Sequence, residues 1–460
     1  MMMKLTAWWL RRLVSCRGLS TSSSTTGWLA ACGNGDQGRL GHGMGVGSVP
    51  KPARVLLHSA LAAGEIDDDD NDVMSCSAGG AHSALVTKHG ALLTAGLNDH
   101  GQLGRQRAPE EARDESTGTS TDDQCCGVMR RVALPGPAAA VSCGHYHTLV
   151  LLQSGELMAF GSNKHGQLGV SSSVDTTPRF EAATVPGMDD VVAISAGALH
   201  SIAADRAGRL YAWGCNADGR LGLGFLGRGP GADSFSRWFS SLMTDAAVPI
   251  PTRVSTLDGL VITAVAAGDM HSVVADADGK CFTFGSGRYG QLGVPAQESE
   301  RPVLLEMDHP IKHVAAGGLH SAACTAFGAV FSWGANENGS LGLPRNAPGD
   351  EAFSPKQITS LPKVASVSCG WKHTAAVTTD GALYTWGWGG SVGSMRDGHD
   401  SGGGQLGHGH DFDQWEPQKV KGVLTVGVTG TEVRTRSVSC GFNHTLSVME
   451  SVDAESQQDP

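Results

Sequence analysis

The chain lacks several features, and each absence argues against a class of protein. No apolar run approaches the roughly 18 residues that a membrane-spanning helix needs. The 11 cysteines form no C-x-x-C pair and no Cys/His zinc spacing, so neither a disulfide scaffold nor a zinc site is predicted. No phosphate-binding loop and no carboxylate pair stands out. We therefore predict a protein that is not an enzyme and that holds no metal and no cofactor.

The cysteines fall into two groups. Cys143, Cys369 and Cys440 occupy one position of a repeated phrase in which other repeats have alanine. We interpret these three as small buried residues. The pair Cys125-Cys126 follows an acidic stretch and is predicted to lie in a polar loop, where it is the pair best placed for redox chemistry.

Basic residues are the minority, with 34 Lys and Arg against 45 Asp and Glu and a net charge of −11. An acidic chain is a poor match for general neutralisation of nucleic-acid phosphates, which requires clustered Lys and Arg. We therefore expect any RNA contact to be indirect, and protein partners to be the main ones.

Acidic residues are absent from the first 27 residues, which contain Lys4, Arg11, Arg12 and Arg17 and a Ser/Thr-rich stretch. This composition is typical of an organellar transit peptide. We predict that residues 1–27 direct the protein to the mitochondrial matrix, with the plastid as the alternative and a leader without function as the remaining possibility. Residues 451–460 are predicted to be a disordered tail.

Glycine is abundant, with 64 residues, and much of it follows a repeat. The phrase G-[QRS]-L-G occurs seven times, and each occurrence is followed by G-x-x-H-[ST], at a period of about 50 to 70 residues. The histidines of the second phrase are His82, His147, His200, His271, His320, His373 and His444. Such a period indicates a solenoid, a propeller or another repeat array.

Apolar runs in each repeat predict four strands. Two of them flank a turn that ends in glycine, as in Ala375–Gly387. The others precede the histidine phrase (Val191–Ile194, for example) or follow the glycine phrase, as in Arg54–Leu57 and Pro302–Leu305. The chain begins with half a hairpin, Trp28–Gly33, and ends with the matching half, Thr445–Met449. We predict an all-β, seven-bladed propeller over residues 28–450, closed non-covalently by these two strands.

The phrases Trp213-Gly-Cys-Asn216, Gly219-Arg-Leu-Gly222 and Ala266-Ala-Gly-Asp-Met-His-Ser272 resemble the repeats of the regulator of chromosome condensation family. The resemblance covers nearly the whole chain, and among family members it is nearest to those of plant mitochondria. It implies the propeller fold, but a fold hosts many functions.

The family also contains the plant UV-B photoreceptor and nuclear exchange factors for small GTPases. A resemblance to the photoreceptor would imply that the sequence contains several G-W-R-H-T phrases whose tryptophans cluster. Here only Gly370-Trp-Lys-His-Thr374 is similar, and a single indole argues against photoreception. A resemblance to the exchange factors would imply acidic side chains in the loops of early repeats. In this chain the only acidic residue at such a position is Asp269, in the fourth repeat.

Two sets of residues are candidates for a structural or a partner-binding role. The seven repeated histidines are interpreted as structural, because a catalytic residue is needed once and these recur in every repeat. Partner-binding candidates are the large residues between glycine and histidine in the second phrase, together with an apolar stretch at 235–243 that has helical spacing. They are His145, Tyr146, Asp269, Trp371 and Lys372 in the first group and Trp238 and Phe239 in the second.

The sequence thus predicts a mitochondrial protein-interaction scaffold without membrane insertion. Resemblance to the plant organellar members implies a role in transcript splicing or maturation and hence in building respiratory complex I. Two alternatives remain open: a guanine-nucleotide exchange factor for a small or organellar GTPase, and a mitochondrial ribosome-assembly factor.

Overall fold

The computed structural model describes residues 26–67, 71–106, 125–171, 175–224, 247–344, 351–390, 403–422 and 432–452. These residues form 28 strands in seven four-stranded antiparallel sheets. The described part also contains one short helix, α1 (His58–Ala62), and short 3-10 turns at Asp36–Gly38, Ala217–Gly219 and Ser255–Leu257. The described helix is far too short to cross a membrane. The predicted all-β, seven-bladed propeller is confirmed.

Each sheet is one blade, and in blades 1 to 6 the strands follow the chain from the axis outwards. Blade 1 contains β3 (Val73–Ala78), β4 (His82–Thr87), β5 (Leu92–Leu97) and β6 (Cys125–Arg131). Blade 2 contains β7 (Ala138–Cys143), β8 (His147–Leu152), β9 (Leu157–Gly161) and β10 (Arg179–Thr184). Blade 3 contains β11 (Val191–Ala196), β12 (His200–Asp205), β13 (Leu210–Cys215) and β14 (Ala247–Arg253).

The next three blades have the same order. Blade 4 contains β15 (Ile262–Ala267), β16 (His271–Asp276), β17 (Cys281–Ser286) and β18 (Glu298–Leu305). Blade 5 contains β19 (Ile311–Ala316), β20 (His320–Thr325), β21 (Val330–Gly334) and β22 (Ala352–Gln357). Blade 6 contains β23 (Val364–Cys369), β24 (His373–Thr378), β25 (Leu383–Gly387) and β26 (Gln414–Lys419).

Blade 7 combines both ends of the described chain. Its inner strands are β27 (Glu432–Cys440) and β28 (His444–Val452), and its outer strands are β1 (Gly27–Asn34) and β2 (Ser48–Arg54). Strand β1 pairs with β28 antiparallel, with Trp28 opposite Met449. The two half-hairpins of the sequence therefore lie side by side.

The core lies between blades, where apolar residues of neighbouring sheets pack in seven clusters. The largest side chains of these clusters include Phe160, Trp213, Phe284, Trp333 and Trp386, all of them fully buried. In five of the seven G-[QRS]-L-G phrases the last glycine lies against such a ring: a Cβ on Gly104 would be 2.8 Å from Phe160. Gly104 also has a φ of +69°, so that both space and backbone conformation require glycine there.

Two predictions about the strands are wrong. Arg54–Leu57 is not a strand: β2 lies earlier, at Ser48–Arg54, because Ala30 and Ala31 of β1 pair with Arg54 and Ala53. Cys125 and Cys126 do not lie in a polar loop. They begin β6 and are buried, paired with β5 at Leu97 and Gly96. Their burial in a strand removes the exposure on which redox chemistry depends.

Candidate functional site

One face of the propeller carries both repeated phrases. Within each blade the G-x-x-H phrase joins the first two strands, and the G-[QRS]-L-G phrase follows the third. These loops lie on the same side because the histidine that begins the second strand pairs with the glycine near the end of the third, as His82 pairs with Gly96. We call this side, built from the two sets of phrases, the loop face.

The loops around the axis are joined to one another by backbone hydrogen bonds. In every blade, the N–H that follows the first glycine of G-x-x-H donates to the corresponding glycine carbonyl of the next blade. The seven N–H···O distances are 3.0 to 3.3 Å, and the last bond, from Phe442 to Gly79, closes the circle. The first variable residue of each phrase is therefore held at a fixed position around the axis.

The repeated histidines form a second closed circle, beneath the first. Each imidazole Nε2 lies 2.7 to 3.0 Å from the Ser or Thr hydroxyl of the next blade, and His444 contacts Ser83 of blade 1. Each hydroxyl donates its proton to a carbonyl of the glycine phrase, as Ser201 does to Gln167. Because that proton is used, Nε2 carries the hydrogen and donates to the hydroxyl oxygen.

The spacing G-x-x-H follows from this packing. The imidazole folds back over the glycine three residues earlier: a Cβ on Gly144 would be 2.5 Å from Cε1 of His147. Any larger residue would displace the ring from its partner on the next blade.

Burial keeps these imidazoles neutral. It lowers the pKa to about 3 for His82, His147, His271 and His373 and to about 4 for His320. Burial likewise holds the pKa of His200 and His444 well below the ordinary value. Residues of this kind do not exchange protons near neutral pH. The described ranges also contain no group of three or more His, Cys, Asp or Glu side chains that could hold a metal ion.

Large side chains meet over the axis because small ones alternate with them. The first variable residues of the seven phrases are, from blade 1 to blade 7, Gly80, His145, Ala198, Asp269, Gly318, Trp371 and Phe442. The small residues of blades 1, 3 and 5 leave room, so that neighbours two blades apart come into contact. Trp371 covers Gly318, where a Cβ would be 2.6 Å from the indole Cδ1.

These side chains form one continuous row. Nε2 of His145 is 2.9 Å from Oδ1 of Asp269, and the His145 ring meets the edge of Phe442 with centroids 5.5 Å apart. Phe442 stacks on Trp371 at 4.2 Å and an interplanar angle of 11°. The ammonium of Lys372 lies 4.7 Å from the Trp371 ring centroid and 3.3 Å from the Glu337 carboxylate.

We call these six residues (Glu337, Lys372, Trp371, Phe442, His145 and Asp269) the axial row. It crosses the axis from blade 5 to blade 4, and four of its residues (His145, Asp269, Trp371 and Phe442) line the central channel. Beneath it the channel is lined by the last residues of the innermost strands, among them Cys143, Cys369 and Cys440. Burial raises the pKa of the Cys143 and Cys440 thiols to about 12, so that they remain protonated.

A second concavity, the side cleft, lies beside the row among blades 1 to 3. Its residues are Leu97, Asp99, His100, Tyr146, Ser162, Lys164, His165 and Leu199, and its volume is about 440 Å³. Tyr146 is 41% exposed and its ring contacts His100, with centroids 5.1 Å apart.

The structure brings together four of the seven partner-binding candidates in the axial row: His145, Asp269, Trp371 and Lys372. Tyr146 lies in the side cleft instead. Trp238 and Phe239, with the rest of the 235–243 stretch, lie outside the described residues, as do residues 1–25 of the leader and the tail from 453.

Sequence reasoning missed Glu337, Phe442, Trp388 and His100. Trp388 lies edge-on to Trp371 with centroids 5.5 Å apart, so the expectation of a single indole is wrong. The signal for Trp388 was present in Trp386-Gly-Trp388, because the strand ends at Gly387 and leaves the second indole on the loop face.

The chain matches the RCC1-like domain model over residues 28–447. It is 28% identical to the ultraviolet-B receptor UVR8 of Arabidopsis thaliana over 427 residues, which cover 91% of this chain and 70% of the receptor. It is 29% identical to the regulator of chromosome condensation of Homo sapiens over 437 residues, which cover 92% of this chain and 91% of that protein.

Solved structures share the fold. Yeast RCC1 (Prp20), solved bound to Kap60, superposes with a TM-score of 0.74 at 21% identity and covers 94% of this chain and 91% of its own. Human WBSCR16 gives a TM-score of 0.70 at 24% identity, with 91% and 99% covered. The domain match extends from β1 to β28, through all seven repeats, and the chain belongs to the RCC1-like domain family.

Proposed function

We propose that this protein is a mitochondrial interaction scaffold that binds protein partners through the axial row and acts in organellar transcript splicing or maturation, and thereby in complex I biogenesis. The row is the observation that carries the proposal. It combines stacked aromatic rings with charged ends at the centre of one face, which is the composition of an energetically important protein contact.

The ring beneath the row supports a scaffold role. Two closed circles of hydrogen bonds hold the loops, so a partner does not have to order them on binding. A preorganised surface loses less conformational entropy on association than a flexible one does.

The mitochondrial location rests on the leader. Residues 1–27 contain four basic residues and no acidic one, and they are rich in Ser and Thr. A plastid location is the alternative. The splicing role rests on the resemblance to plant organellar members of the family, and a ribosome-assembly role is its nearest competitor.

Exchange activity toward a small GTPase is the second candidate. Asp269 supports it, because its carboxylate is on the loop face near the axis, and exchange factors of the family use acidic loop side chains. Its pairing with His145 and the absence of acid from the corresponding loop positions of blades 2 and 3 favour the scaffold.

The test is co-purification of tagged full-length protein from isolated mitochondria, comparing wild type with the double variant Trp371→Ala, Phe442→Ala. Phe327→Ala is the matched control, because Phe327 is an exposed aromatic side chain at a hairpin turn, away from the loop face. We expect the double variant to lose the partners while melting like wild type, and the control to retain them.

The accompanying RNA separates the candidate roles. Depletion should leave unspliced precursors of complex I transcripts if the splicing role holds, and immature ribosomal RNA if the assembly role holds. Accelerated nucleotide release from a GTPase would favour the exchange factor. A full-length fusion found in the nucleus would contradict the location, and unchanged partners in the double variant would contradict the axial row as the contact.

A further inference from the structure

The side cleft differs in chemistry from the axial row. Its apolar lining residues are Leu97 and Leu199, and its volume of about 440 Å³ lies within the range of small-molecule sites. Its residues come from three blades, so the closed ring fixes their relative positions.

One wall offers a planar surface. Tyr146 is 41% exposed, and His100 supports its ring at 5.1 Å and an angle of 45°. An exposed aromatic ring supported from one side is a stacking platform for another planar ring, and nucleic-acid bases stack on such platforms whatever their identity.

The cleft is lined by one lysine, Lys164, two imidazoles, His100 and His165, and one carboxylate, Asp99. Burial is the main cause of the lowered pKa of His100, and Lys164 lowers it further, while Asp99 opposes both. The pKa of His165 is lowered by burial and then by Arg220 and Lys164. Lys164 is therefore close enough to disfavour the protonation of both imidazoles, and an anion beside it would favour their protonated forms.

Asp99 gives the cleft an acceptor beside these donors. A carboxylate in a nucleotide site accepts hydrogen bonds from ribose hydroxyls. The lining thus combines an aromatic platform, a carboxylate acceptor for a sugar and, in Lys164 and the two imidazoles, donors for a phosphate.

We propose that the side cleft binds a nucleoside monophosphate, with its base on Tyr146, its ribose hydroxyls on Asp99 and its phosphate near Lys164, His100 and His165. The nucleotide is either free or the terminal unit of an RNA strand. This site is separate from the axial row, and it stands or falls independently of the scaffold role.

Calorimetric titration of the full-length protein with uridine and adenosine 5′-monophosphate tests the site. We expect saturable binding in the micromolar to low-millimolar range. Tyr146→Ala should weaken binding roughly tenfold or more, and Tyr146→Phe should retain it, because stacking requires the ring and not the hydroxyl.

Two further variants test the sugar and phosphate contacts. Lys164→Ala should weaken nucleotide binding while Lys88→Ala, an exposed lysine at a hairpin turn, should leave it unchanged. Wild type should prefer the ribonucleotide over its 2′-deoxy form, and Asp99→Asn should abolish that preference. Trp371→Ala with Phe442→Ala should leave nucleotide binding intact, which separates this site from the axial row.

The source of the nucleotide is decided by a short 5′-phosphorylated oligoribonucleotide. Tighter binding of the oligomer, with the same dependence on Tyr146 and Lys164, assigns the cleft to an RNA terminus. Binding of the mononucleotide alone assigns it to the free nucleotide. No binding of either, or binding that is indifferent to Tyr146→Ala and Lys164→Ala, overturns the proposal.

Discussion

Acidification should unfold this protein at a pH that most proteins tolerate, because its blades are joined by seven buried, neutral histidines. The pKa of these groups is lowered by burial, to about 3 for His147 and about 4 for His320, for example. In the unfolded chain a histidine titrates near 6.5. Below that pH the histidines bind protons in the unfolded state but not in the folded state. Their full contribution to the free energy of unfolding is therefore present above about pH 6.5 and is lost as the pH falls toward the folded pKa values.

The size of the effect follows from the same values. At about pH 5.5, one histidine that is buried and neutral costs about 1.4 kcal/mol relative to neutral pH. Seven such groups together cost about 10 kcal/mol, which is comparable with the whole stability of a typical protein, about 5–15 kcal/mol. We therefore expect cooperative unfolding between about pH 6 and pH 5.

Denaturant unfolding followed by tryptophan fluorescence at a series of pH values measures this loss. His320→Gln provides the matched test, because an amide N–H can still donate to the Thr374 hydroxyl that His320 contacts at 2.8 Å. The glutamine does not titrate, so the difference in unfolding free energy between about pH 7.5 and pH 5.5 should shrink by about 1.4 kcal/mol. His89→Gln, at an exposed hairpin turn, should leave the difference unchanged. A protein as stable at pH 5.5 as at pH 7.5 would refute the reasoning.

The other predictions concern the ends, the glycines and the region outside the described residues. Deleting residues 444–460 removes β28 and should cause aggregation and loss of cooperative melting, whereas a soluble deletion variant that melts like wild type would count against closure. Gly104→Ala meets both a φ of +69° and the Phe160 ring, and should cost more unfolding free energy than the roughly 1–2 kcal/mol of Gly187→Ala, which meets only a φ of +73°. Replacing Trp238 and Phe239 with Ala should remove about 2–4 kcal/mol of partner affinity without changing melting, and a double variant that unfolds would place these rings in the core. A fusion of residues 1–30 to a fluorescent protein should enter mitochondria, and diffuse cytosolic signal would contradict the leader prediction.

The repeat made the fold accessible from the sequence. Glycines at fixed offsets, a strand pattern between them and two matching half-hairpins predict the number of blades and the strands at which the ring closes. The prediction of Arg54–Leu57 as a strand was wrong because an apolar run alone cannot fix a strand's ends. There the pairing partner decides, and the polar sequence Ser48–Arg54 lies opposite β1.

The axial row was harder to foresee. Each of its residues lies in a variable position that looks unremarkable within its own repeat. Only when the seven positions are placed in a circle do Gly80, Ala198 and Gly318 become gaps, over which His145, Asp269 and Trp371 can reach. Contacts between residues far apart in the chain depend on that circle, and no local pattern encodes them.

Blade 7 is built from both ends of the described chain, and this affects how the chain folds. Strand β1 is the first described strand to leave the ribosome, and its partner β28 is the last. Until β28 has been synthesised, Trp28 and Leu29 of β1 lack the inner strands of blade 7 against which they pack. Blades 1 and 6 then each expose an apolar surface that blade 7 will bury. Pairings of such long range are slow to form and leave aggregation-prone intermediates. The propeller therefore becomes a ring in a single late step. A chain that has not yet completed this step exposes apolar surface and is prone to aggregate.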